Sequence, residues 1–158
     1  MASPLTQIVF SKEVWSARLR DFLHDCTGSA PSEEHDRIRE ALLLFVETPE
    51  LRGRERRPSG VDPIPVDPAA IEAMLACGAT ESAVLALIGP DDTFMLSRGM
   101  NGTCLATLVM ADGSEEMICE AATLSLALLA AYVSKLLTGM ERKEDKAQVT
   151  LPSGVRLH

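Results

Sequence analysis

Aromatic side chains are scarce in this chain: one Trp, one Tyr and four Phe among 158 residues. Its core must therefore be assembled mainly from Leu, Ala, Val, Ile and Met, with seven Met making part of that packing adaptable. Only three histidines are present, and His158 ends the sequence. The four cysteines, Cys26, Cys77, Cys104 and Cys119, include no CxxC pair. Such cysteines in apolar surroundings behave as small hydrophobes. Basic residues are outnumbered, and the formal net charge is −8. That balance excludes non-specific hold on phosphate backbones, which depends on Lys and Arg neutralising phosphates. No direct nucleic-acid binding is expected, whereas a basic partner suits the charge.

Several segments are also missing. The N-terminal Met1-Ala2-Ser3-Pro4-Leu5-Thr6 has no charged region followed by an apolar one, so no secretory signal is read there. The longest uncharged apolar-rich run, residues 121–134, is shorter than the roughly 18 residues of a bilayer span. A reduced cytoplasmic protein with no membrane contact is the expectation. The sequence holds no GxSxG, no phosphate-binding glycine loop, no dinucleotide fingerprint and no HExxH. Two sets of residues are candidates for a metal: His24 with Cys26 and His35, and Cys104 with Cys119. Neither has a recognised zinc spacing. The expectation is a non-enzymatic protein with no cofactor.

What is present reads as α+β. Trp15, Leu19, Phe22 and Cys26 make one apolar stripe on a helix over residues 11–26. A second helix is expected over 32–47, started by Pro31, Ser32, Glu33 and Glu34 and stopped by Thr48-Pro49. These two form an N-terminal helical hairpin in a segment 1–50. Residues 51–66 read as a linker rich in Arg and Pro. It carries the one basic cluster, Arg52, Arg54, Arg56 and Arg57, a candidate contact for an acidic surface. Residues 67–139 then supply a short helix with Asp67 as N-cap and Pro68 at its first position, an antiparallel sheet of three to four strands, and a long apolar C-terminal helix. The strands are expected at 82–88, 93–98, 103–110 and 115–120, with a short helix as the alternative for 82–88. The last helix is expected over 121–138 with Gly139 as its cap, followed by a polar tail over 140–158. Neither face of the 103–110 strand is strongly polar, so cover on both sides of the sheet is expected, from helices or a second subunit.

Two turns of this meander are acidic. Asp91 and Asp92 stand in one, and Asp112, Glu115 and Glu116 in the other. In a four-strand meander the first and third turns share one end of the sheet. These five carboxylates then make a rim without Lys or Arg, a candidate binding site for a basic protein surface. Turn chemistry alone also favours Asp and Gly at such positions.

The segment 94–137, with strands running into Ala122-Thr123-Leu124-Ser125-Leu126-Ala127-Leu128, resembles small bacteriophage and prophage accessory proteins of α–β–α sandwich type. That resemblance implies no catalytic residue. In size and charge the chain is also similar to acidic, dimeric type III secretion chaperones, although their strands precede the central helix. The expected function is an intracellular protein-binding factor, phage-derived, acting as an inhibitor or adaptor through its acidic surface. The alternative is a structural, assembly or chaperone-like protein that homodimerises through apolar helix or sheet surface.

Overall fold

The computed structural model describes residues 12–47, 66–110 and 113–149. The Arg52, Arg54, Arg56 and Arg57 cluster, Asp112 and the residues after 149 lie outside the described residues.

Helix α1 spans Lys12–Gly28 and buries the stripe Trp15, Leu19, Phe22 and Cys26. Beyond its end, Ser29 Oγ donates to the Asp25 carbonyl at 2.6 Å. A single 3₁₀ turn, Pro31–Glu33, leads into α2 at Glu34–Glu47. Glu33 Oε2 accepts from Ala30 N at 2.7 Å, satisfying one orphan donor at this helix start. Arg37 ties the corner together. Its Nε donates to Ser29 Oγ at 3.1 Å, and its guanidinium pairs with Glu40.

Helix α3 is Pro68–Ala76, with Asp67 Oδ1 accepting from Ala69 N at 2.9 Å. It closes in a Schellman motif. Ala79 N bonds the Met74 carbonyl and Gly78 N bonds that of Leu75, with Gly78 at φ 77°.

Helix α4, Thr80–Ile88, replaces the expected strand over 82–88. Ala83, Val84, Leu87 and Ile88 are buried while Leu85 is exposed. That is helical spacing, with a buried pair repeating after one turn. A short continuous apolar run carries no periodicity that separates strand from helix.

Three strands follow: β1 Thr93–Arg98, β2 Cys104–Val109 and β3 Glu116–Ala121. They pair antiparallel in the order β1-β2-β3. The β1–β2 turn needs a positive φ at Gly102, 83°. Asn101 Oδ1 braces it by accepting from Thr103 N at 3.1 Å.

Helix α5, Leu124–Val149, starts with Thr123 Oγ1 accepting from Leu126 N at 3.2 Å. Every residue from Ser125 to Val133 is buried, as are Leu137 and Met140. By length and composition α5 could cross a membrane, but 61% of its apolar window is buried inside the protein. It is the central core helix. The sheet lies on it, α1 packs along it, and α2 and α4 also touch it.

Gly139 does not end α5, and the expected tail is helical to Val149. Capping by glycine needs a left-handed backbone, and Gly139 is not among the glycines with positive φ. The extension is held from outside. Lys12 Nζ donates to the Met140 carbonyl at 3.3 Å and pairs with Glu144 at 3.1 Å. Arg142 pairs with Glu115 at 2.6 Å.

The protein is α+β, with five α-helices and a three-stranded sheet among the described residues. Trp15, Phe22, Ile38, Ile71, Leu108 and Leu129 belong to one apolar cluster. The N-terminal helices therefore build the same core as the sheet. Phe45 meets Tyr132 edge-on, with ring centroids 5.2 Å apart.

Candidate interaction surface

Strand pairing sorts the sheet into two faces. Phe94, Leu96, Ala106, Leu108, Met117 and Cys119 point toward α5 and join or pack against the core. The opposite face has three cross-strand rows: Thr93–Val109–Glu116, Met95–Thr107–Ile118 and Ser97–Leu105–Glu120. Met95 is 68% exposed and Ile118 60%. Leu105 and Val109 are half-buried on the central strand. Thr107, between Met95 and Ile118 in its row, is buried.

The helices that contact the sheet are α5 and α1. Both lie on the inner side, where Cys119 Sγ stands 3.5 Å from Ser134 Oγ of α5. Of the two kinds of cover expected, helices or a second subunit, helices among the described residues lie on one face. The outer face is a small apolar platform with two exposed carboxylates, Glu116 and Glu120, along the β3 side.

The acidic turns come to one end of this sheet by a different route from the four-strand meander. Thr93 starts β1 opposite Val109, and Val109 is opposite Glu116. Asp91 and Asp92 thus precede β1 at the end where Glu115 and Glu116 lead into β3. The rim is not free of cations, however. Asp92 has a side chain only 3% exposed and forms an ion pair with Lys135 of α5. Lys135 Nζ also stands 5.8 Å from the Tyr132 ring centroid. Glu115 pairs with Arg142 of α5, whose guanidinium also donates to Ser114 Oγ at 3.2 Å. Of the expected rim, Asp92 and Glu115 serve to hold the sheet end onto α5. Glu116 is exposed on the outer face.

The two candidate metal sets do not assemble. His24 and His35 are exposed while Cys26 is fully buried, so the stripe that takes Cys26 inward turns His24 out. Cys104 and Cys119 share the inner face, but in different rows: Cys104 is opposite Ala121 and Cys119 opposite Ala106. Among the described residues no three His, Cys, Asp or Glu side chains form a candidate metal cluster. Burial pushes the Cys26 thiol up to about 12, partly offset by Arg37, so its nucleophilic thiolate is suppressed near neutral pH.

Open depressions lie between described residues. One of about 510 Å³ lies at the β1–β2 turn, lined by Thr27, Asn101, Gly102, Thr103, Glu120, Ala121 and Ala122. One of about 220 Å³ lies at the α1–α2 corner around His24 and Arg37. Two residues that line the second, Arg37 and Ser29, are already joined by a hydrogen bond.

Sequence reasoning missed Met95 and Ile118 as surface residues. Their signal was period-two alternation, but Phe94-Met95-Leu96 is apolar throughout and does not tell its two faces apart. Comparison of the chain with protein-family models, curated proteins and solved structures finds no match.

Proposed function

We propose that this chain is a non-enzymatic protein-association module that docks a protein on the outer face of its sheet. One observation carries the reading: Met95 and Ile118 are exposed in the same cross-strand row, on a face that the described helices leave uncovered. Large apolar side chains grouped on one face are the usual mark of a contact surface. The reading unites the two functions expected from sequence, a binding factor and an assembly protein, and moves the contact from the turn rim to the sheet face.

A photo-crosslinking residue at Ile118 tests it, with one at His35 as control. His35 is exposed on α2, and α2 packs on α4 and α5. Protein adducts formed in host extract at position 118 and not at 35 support the reading. No adducts at 118, or equal yields at both positions, overturn it.

A second reading, a partner with a basic surface, is favoured by exposed Glu116 and Glu120. It requires capture to weaken with rising salt.

A further inference from the structure

We infer that the occupant of the outer sheet face is a second copy of this chain, packed face to face about a two-fold axis parallel to β2. This rests on the docking-face reading above and adds the partner and the geometry.

The outer face is complementary to itself in one arrangement. Homodimers are mostly two-fold, so the same patch must fit itself. Two in-plane axes lay this face on its own copy with the strands aligned. An axis across the strands sets β3 against β3 and brings Glu116 onto Glu120 of the other copy, twice. Four carboxylates would then meet at a contact that excludes water, where like charges repel strongly. An axis parallel to β2 does the opposite. It exchanges β1 and β3 while keeping each residue at its own level along the strands. Met95 then meets Ile118 of the other copy, on both sides of the axis. Thr93 and Ser97 come opposite Glu116 and Glu120, so each carboxylate faces a hydroxyl donor. On β2, Leu105, Thr107 and Val109 each face their own counterpart. The register that aligns Met95, Thr107 and Ile118 in one row makes this match. A modest tilt of β2 to the axis gives the crossing of about 30° usual for packed sheets.

Size sets the strength. Three strands about 4.8 Å apart, with six residues rising about 3.3 Å each, give a footprint on the order of 300 Å². Stable interfaces bury about 800 Å² per partner. The dimer is therefore weak and reversible. Each copy carries a net charge of −8, so screening strengthens it, and its affinity rises with salt. A basic partner would show the reverse slope.

The test uses purified full-length chain in a Cys77→Ser background, because Cys77 is the exposed thiol among the described residues. Under mild oxidation Thr107→Cys should give a covalent dimer on its own. Met95→Cys alone and Ile118→Cys alone should not, but an equimolar mixture of the two should. Since Met95 and Ile118 are both exposed, this mixture remains informative even if the substitution at buried Thr107 perturbs folding. Sedimentation at low and high salt should show a dimer fraction that grows with both protein concentration and salt. Self-linking by Ile118→Cys above the mixed reaction would place β3 against β3 and overturn the geometry. A chain monomeric at every concentration, while position 118 still gives adducts in extract, would overturn self-association and leave the docking face standing. Absence of both signals would overturn both.

Discussion

Asp92 and Lys135 form an ion pair at the end of the sheet where β1 begins, with their side chains 3% and 16% exposed. The pair joins the loop before β1 to the middle of α5. It also takes a carboxylate from the surface that the turn sequence assigned to partners.

Lys135→Met should destabilise the protein by about 3–5 kcal/mol, because it leaves the Asp92 carboxylate buried without its counter-charge. Pairing it with Asp92→Asn should restore much of that loss. Urea unfolding of the two single variants and the double variant measures the coupling. Additive losses in the double variant would show that the two side chains do not act as a pair.

Gly139→Ala should stabilise by about 1 kcal/mol, the difference in helix propensity between these residues. Gly139 lies inside α5, and an added Cβ would meet nothing within 4 Å. Had the helix ended there on a left-handed glycine, the same substitution would destabilise. The sign of the shift in urea midpoint separates the two cases.

Cys26 makes stability fall at alkaline pH. Its folded thiol is pushed up to about 12 from an ordinary value of 9.0, chiefly by burial. Below pH 9 both folded and unfolded chains keep the proton, and stability is at its full value. Between pH 9 and 12 the unfolded chain loses the proton first, so stability falls by about 1.4 kcal/mol per pH unit. Cys26→Ala should flatten this part of the profile while lowering stability at neutral pH through the cavity it leaves. An unchanged slope in that variant would assign the effect to other groups.

Met95→Lys combined with Ile118→Lys should change stability by less than about 1 kcal/mol, since both side chains are mostly in solvent. The same variant should abolish association on the outer face. Circular dichroism melts check the first half and sedimentation the second. Association that persists would place the contact elsewhere.

Local order was legible wherever one residue type has one physical meaning. The Trp15-Leu19-Phe22-Cys26 stripe and the Asp67-Pro68 start both appear as read. Legibility failed where a signal was compatible with two environments. Residues 82–88 are apolar without a period, and Gly139 resembles a cap until its backbone is known. The acidic turns showed charge but not its neutralisation, because Lys135 and Arg142 lie at least 27 positions along the chain from their partners.

By itself the sequence determined an α+β chain with an aliphatic core, few groups for chemistry and an excess of negative charge. Those properties follow from composition and from spacing within one turn or one hairpin. Tertiary structure decided which apolar face is buried. Phe94 and Met95 are adjacent and both apolar, yet α5 packs against Phe94 and leaves Met95 in solvent. That assignment depends on where a helix begun at Leu124 lies against the sheet, a long-range contact that no local pattern encodes.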